Sequence, residues 1–259
     1  MVSVNKNGLQ VFYREGTADE GVLQHSFEKD IFFKGMPEYQ PRDGHCIIDI
    51  GAHIGTFSLL AATTNKIGKI YAIEPCLDTY SVLEKNILEN RLINLHPHRL
   101  ALSDKKGTAK LFYDTATGNW GHSLTHAFSA QGEEVPTDTL DAFFEENDIE
   151  HCHFIKFNCE GSEFDILLQA SSETLARIDN MLVLYHMDLT DKHHVNDIIK
   201  RLKKLGFYTE KRYVSQKGKR GWLVVMRTNG VHSIFLSFKH ILRQTFLSAK
   251  SIAKAILKR

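Results

Sequence analysis

The sequence predicts a doubly wound α/β fold with a mostly parallel sheet, and three observations carry that reading. Short apolar runs of buried-strand type alternate with stretches of helical periodicity. The first run, Cys46-Ile47-Ile48-Asp49-Ile50, passes directly into a glycine-containing turn, Gly51 to Gly55, and then into a helix. The second run ends on an acid, Glu74, which lies 19 residues after Gly55. That order of strand, small-residue turn, helix, strand and acid is the arrangement by which open α/β sheets hold a nucleoside.

The elements follow in turn. Thr17-Ala18-Asp19-Glu20 has the spacing of a capping box, and Val22, Leu23 and Phe27 continue at helical intervals, so a helical N-terminal extension over residues 1–44 is expected to pack on the core. Phe57 to Lys66 reads as a helix ended by Gly68, Ile70 to Ile73 as a strand, and Tyr80, Leu83 and Ile87 as one face of the next helix. His98–Leu102, Phe154–Phe157 and Met181–Tyr185 are further strands. Between the first two of these, the polar stretch Asp114 to Glu134, with Gly118, Gly121 and Gly132, is too long for a plain connection and is expected to pass over the site. Ile198, Ile199, Leu202 and Leu205 mark a late helix stopped by Gly206, and Phe207–Val214 with Trp222–Met226 form a closing hairpin around Gly218 and Gly221. The main domain thus runs over 45–228.

Composition is that of a globular protein, 42% apolar and 24% charged. No apolar stretch is long enough to span a bilayer and the first residues do not read as a secretory leader, so a cytoplasmic protein is expected. Cys46, Cys76, Cys152 and Cys159 lack C-x-x-C spacing and read as reduced thiols. Net charge is +1, yet residues 229–259 hold six Lys or Arg and no acid. Over 231–257, apolar and basic residues separate onto two arcs of a helix, which suits either an anionic membrane surface or packing on protein, the domain itself or a second subunit. Liposome sedimentation of the full chain against one ending at Asn229 separates the two. Nucleic acid is not an expected partner, because the body is acidic and the tail lacks interleaved aromatic platforms.

At the turn, the pattern is G-x-x-x-G and an acid, Asp49, precedes it. A pyrophosphate requires close glycines and is repelled by an acid, so an NAD-dependent oxidoreductase is a lesser alternative, whereas a cationic sulfonium ligand is favoured. These residues resemble the first two motifs of class I methyltransferases, and more specifically the FkbM type, in Ile47 to Ser58 and in Ala72-Ile73-Glu74-Pro75. The resemblance extends to Arg14 to Asp19, Ala101 to Asp104 with Gly107, Thr139-Leu140-Asp141, and Ile155 to Glu163, covering roughly residues 11–227. It implies a seven-stranded, Rossmann-like sheet binding S-adenosylmethionine at the carboxyl ends of its strands. By the same resemblance Asp49, Gly51, His53 and Gly55 line the methionine and ribose region, Glu74 holds the ribose, and Ser103 or Asp104 lies near the adenine. One departure is Asn158, where the family usually has Asp.

A sulfonium methyl is already activated, so the protein mainly aligns an attacking atom and, for a hydroxyl acceptor, removes its proton. The bases available are Glu160, after the strand that ends near Asn158, and His186, at the end of the next strand; Asn158 itself can orient a ligand through its amide. Glu160 alternatively caps the helix that follows. Lys156, inside its strand, reads as an ion-pair partner. Trp120 and His122, among glycines and hydroxyl residues, suit a lid over a sugar. His122 with His126, His151 with His153, and His193 with His194 invite a metal, but no H-E-x-x-H or cysteine partner accompanies them and no metal is expected. The function expected is an O-methyltransferase acting on a hydroxyl of a glycan or secondary metabolite; the other class is a noncatalytic cofactor-binding or membrane-peripheral protein, which the change to Asn158 keeps open.

Overall fold

A computed structural model describes residues 1–114 and 121–228. The chain opens with a hairpin, β1 (Val2–Lys6) and β2 (Leu9–Tyr13), followed by α1 (Asp19–Leu23), a π-helical turn Gln24–Glu28, and α2 (Ile31–Gly35). Next come β3 (Cys46–Ile50), α3 (Thr56–Thr64), β4 (Lys69–Ile73), α4 (Leu77–Glu89), β5 (Leu95–His98), β6 (Ala101–Leu102), β7 (Gly107–Phe112) and β8 (Gly132–Asp138). The second half consists of α5 (Leu140–Glu146), β9 (Cys152–Phe157), α6 (Glu163–Gln169), α7 (Ser172–Ala176), β10 (Ile178–His186), α8 (Val195–Lys204), β11 (Phe207–Ser215) and β12 (Arg220–Arg227).

Seven strands form one sheet in the order β11-β12-β10-β9-β3-β4-β5. β10, β9, β3, β4 and β5 are parallel, and β12 runs antiparallel between β10 and β11. Because successive strand residues face opposite sides, Ile48, Ile50 and Ile155 bury into one core with Phe143, Phe164 and Ile198, while Ile47, Phe154 and Leu182 bury into the other with Phe57, Leu83 and Trp222. Both faces are covered, as the doubly wound reading requires. β6, β8 and β7 make a separate three-stranded sheet beside the carboxyl edge.

Five details differ from the sequence reading. The N-terminal extension is a hairpin plus short helices, not helix alone. Its strand β2 borrows amides from α4: Phe12 N–H donates to Asn86 Oδ1 at 2.6 Å, Asn86 Nδ2 donates to Phe12 O at 3.1 Å, and Asn90 repeats the pattern on Gln10. Thr17 is no helix cap. Ala18 occupies that position, and Thr17 Oγ1 instead donates to Arg14 O and accepts from Asp19 N–H. The segment 98–102 is divided, since β5 ends in the large sheet at His98 and β6 pairs with β8 in the small one. Gly132 to Glu134 belong to β8 rather than to a loop, and Gly132 sits where a Cβ would come 2.2 Å from Leu111 O. Gly218 lies in the closing turn, whereas Gly221 is inside β12.

Trp120, Gly118 and the segment 231–257 fall outside the described residues. Among those described, no helix is long and apolar enough to cross a membrane.

Candidate active site

A cavity of about 770 Å³ opens at the carboxyl ends of β3, β4, β9 and β10, within the size range of small-molecule sites. Its floor begins at Gly51. That residue has φ +74°, and a Cβ there would lie 1.9 Å from Asn158 O, so only glycine lets the ends of β3 and β9 approach this closely. Gly55 is also left-handed, but its absent side chain makes room for Leu83 of α4. It fixes the packing of α3 on α4 and is not among the cavity residues, contrary to the expected lining role.

Glu74, at the end of β4, faces the cavity and is 7% exposed. Its Oε2 accepts from His53 N–H at 2.9 Å and its Oε1 from Cys76 N–H at 3.0 Å. Burial pushes its carboxyl up to about 7, against the pull of those two donors. His53 lines the cavity with φ +55°, its ring Nε2 3.7 Å from Asp19 Oδ1. Asp19 is fully buried and clamped by Arg14 through Nε at 2.9 Å and Nη2 at 2.8 Å. Burial alone would raise Asp19, but the Arg14 hydrogen bonds and neighbouring charge hold it below the ordinary value.

Asp49 departs from expectation. Its side chain is fully buried beneath the turn, bonded to Lys156 Nζ at 2.6 Å and Ser58 Oγ at 2.7 Å, and it is not a cavity residue. Lys156 also donates to Gly51 O at 3.0 Å, so the pair supports the turn from below. Ser103 and Asp104 also lie off the cavity. Ser103 N–H donates to Asp138 O, its hydroxyl donates to Asp104, and Asp104 is exposed; the wall at this edge is Leu100, Ala101 and Leu102. The reason is the step from β5 to β6, which carries residues 103 and 104 away with the small sheet.

The remaining predicted residues come together. Asn158, Glu160 and His186 all line the cavity. His186 is held by fully buried Glu163: the His186 backbone N–H donates to Oε1 at 2.6 Å and ring Nδ1–H donates to the same oxygen at 3.0 Å. Nε2 thereby faces Glu160 Oε2 at 3.5 Å. Burial works against charge on His186, but Glu163 and Glu160 outweigh it and raise its pKa. Burial raises Glu160 as well, opposed by His186. Glu160 does not cap α6. Gly161 N–H goes to Glu163 Oε2 at 2.9 Å, while Glu160 sits at φ +46° with its carbonyl accepting from Ser123 Oγ at 2.6 Å. Gly121 packs against the Glu160 carboxyl, and His122, Leu124 and Phe128 complete that wall, so the 121–131 part of the excursion does border the site.

Asn158 Oδ1 is buried with no hydrogen-bond partner among the described residues. An orphaned acceptor beside the glycine cradle, an adjacent carboxylate able to take two hydroxyls, and a cavity of this size fit S-adenosylmethionine.

Two of the three histidine pairs are engaged elsewhere. His122 Nδ1 accepts from Asp114 N–H, His193 meets Asp165, and His194 caps α8. His151, His153 and Asp179 do bring donor atoms within 4.8 Å of one another. However, His153 Nδ1 accepts from Cys46 N–H, which leaves the proton on its Nε2 rather than a lone pair for a metal. Glu163, Asp19 and Arg14 lie in segments that the resemblance covers, but the sequence reading gives them no role in the site. The signal for Glu163 was the second acid of Glu160-Gly161-Ser162-Glu163, placed to enter the next helix toward the sheet.

Fold and site define a class I, nucleoside-binding transferase architecture. The methyltransferase FkbM domain matches residues 49–208, well over half of the chain, and the protein belongs to that family. It is a methyltransferase, with S-adenosylmethionine as its cofactor. Methyltransferase 1 of Beauveria bassiana (strain ARSEF 2860) is 24% identical over 175 residues, 60% of this chain and 70% of its own. The 31-O-demethyl-FK506 methyltransferase FkbM of Streptomyces tacrolimicus is 30% identical over 115 residues, 44% of this chain and 39% of its own. Among solved structures, M. jannaschii TYW2 in complex with AdoMet aligns with a TM-score of 0.42 at 15% identity, over 87% of this chain and 86% of that one.

Proposed function

We propose that the protein is an O-methyltransferase acting on a hydroxyl of a glycan or secondary metabolite, with Glu160 as the general base. The observation that carries this reading is the buried series Glu163, His186, Glu160, which ends in a carboxylate on the cavity wall. S-adenosylmethionine supplies, when bound, a methyl group on a good leaving group. Glu74 is placed to accept from ribose hydroxyls, since each of its oxygens already has one backbone donor and retains a free lone pair. Asn158 Oδ1 accepts a ligand N–H donor, so the amide serves where the family's carboxylate is missing. Glu160 takes the acceptor's proton as oxygen attacks. His186, fixed by Glu163, turns a positive edge toward Glu160 and opposes the effect of burial on its carboxyl. A cytoplasmic location, and a membrane surface or a second subunit met by 231–257, belong to the same reading.

The Streptomyces relative is named for an O-demethyl acceptor, which supports oxygen as the attacked atom. The noncatalytic alternative predicts binding without turnover. In a tritium-transfer assay, Glu160→Gln is expected to lower kcat by about 10²–10⁴, while calorimetry with S-adenosylhomocysteine gives an unchanged affinity. Full turnover in that variant would refute the base assignment, and titration of NAD in place of the nucleoside would refute the cofactor.

A further inference from the structure

The cavity is one space with two differently built halves. Glu74 and Leu100 to Leu102 line it on the β4 and β5 side, where the nucleoside belongs. The other half stands over β10 and β12, and the register of those strands sets its chemistry. Leu184 pairs with Trp222 and His186 with Arg220. These are two same-face rows, roughly 7 Å apart along the strands. The outer row is polar: His186 faces Glu160, and Arg220 is pinned by both oxygens of Asp188 at 2.8 and 3.0 Å. The inner row is apolar, and α2 covers it. Phe32 meets Trp222 edge to face at 5.7 Å and Phe57 at 5.4 Å, with Val22 and Ile31 adding to the roof.

From this two-row arrangement we propose that Phe32 and Trp222 select the acceptor, and that the acceptor carries its reacting hydroxyl on an apolar carbocycle or alkyl skeleton rather than on a free hexose. The inference rests on the O-methyltransferase reading and narrows it. A hexose has a hydroxyl or ring oxygen at nearly every position. Placed with one hydroxyl at Glu160, it would press others against Leu184, Trp222 and Phe32, whose one polar group is the Trp222 indole N–H, and each hydroxyl left without a partner counts against binding. An apolar ring instead buries its face on the inner row while its hydroxyl meets Glu160. Val22, Ile31, Phe32 and Trp222 all lie outside residues 49–208, the part shared with the FkbM domain, so this selection is a property of this chain's own flanking segments.

The test uses the full chain saturated with S-adenosylhomocysteine and ligand-observed fluorine NMR of two probes, 4-fluorophenol and 4-deoxy-4-fluoroglucose. The phenol is expected to bind and the glucose not. Trp222→Ala is expected to weaken the phenol about tenfold, with Trp222→Phe recovering most of it. Should Trp222→Ala unfold the chain, as judged by its melting curve, Ile31→Asp at the roof is expected to produce the same loss. The proposal is overturned if the glucose binds at least as well, if neither probe binds, or if the phenol ignores these variants. Methyl transfer to the phenol is read separately: binding without turnover leaves the apolar selection standing and removes the O-methyltransferase reading instead.

Discussion

Glu74 and Asp49 are both buried carboxylates at the carboxyl ends of neighbouring strands, yet their surroundings give them opposite work. Glu74 has only two backbone donors, and burial dominates, so its folded pKa of about 7 exceeds the unfolded value of 4.5. A raised folded value means that the folded chain holds the proton longer. The contribution to stability is complete below 4.5 and is lost as pH rises through about 7, a change on the order of 3 kcal/mol. Ligand hydroxyls that donate to the ionised form pull the other way, so S-adenosylhomocysteine affinity is expected to tighten between pH 6 and 8. Calorimetry across that window checks it, and Glu74→Gln should flatten the profile. Asp49 has a full cation against it. Removing one member of a buried pair strands the other, at about 3–5 kcal/mol, so Asp49→Ala is expected to lower stability and with it nucleoside binding. Asp49→Asn with Lys156→Met should restore most of the stability in urea unfolding. A double variant no better than Asp49→Ala would mean that the carboxylate is needed for something besides Lys156. The identity of these residues was legible from the turn and strand pattern. What each one faces was not, because Asp49 meets Lys156 only across 107 positions of chain.

Elements buried on both faces were legible, β3 to the residue and β9 and β10 in their central residues, because parallel strands covered by helices on both sides must be continuously apolar. The small sheet was not, since the break between β5 and β6 depends on partners that only tertiary structure supplies. The hairpin carried a readable signal in Asn7-Gly8, both left-handed, between Val2, Val4, Leu9 and Val11, overshadowed by the helical spacing that follows. Its attachment is one-sided: Asn86 of α4, fully buried, bonds to Phe12 N–H, Phe12 O and Ile54 O, the last at 2.9 Å. Asn86→Ala leaves those backbone groups without partners, at about 1–3 kcal/mol. Limited proteolysis is expected to cut the first 15 residues faster in that variant, with the core fragment still intact. Equal cutting of both proteins would show that the apolar face and the Asn90 bonds to Gln10 hold the hairpin without Asn86.

At the scale of the whole molecule, the FkbM domain and the working cavity are not the same object. The domain spans 49–208, but the cavity needs Val22, His25, Ile31 and Phe32 on one side and Arg220 and Trp222 on the other. Residues 1–44 were read from the sequence as an extension lying on the core, and they are better described as one of its walls. Leu9, Val11, Leu23, Phe32, Met36 and Tyr39 are buried in the same core as Phe57, Phe154 and Trp222, and Tyr39 stacks on Phe154 at 4.3 Å. Arg212 reaches from β11 to Glu38 with bonds of 2.9 and 3.0 Å. An extension tied in at that many points should not be separable. A chain beginning at His45 is therefore expected to expose a broad apolar face, to bind hydrophobic dye, and to lose both a cooperative melting transition and S-adenosylhomocysteine binding. If that shortened chain melted cooperatively and still bound the nucleoside, the two halves of the cavity would be energetically independent, and the N-terminal segment would serve the acceptor alone.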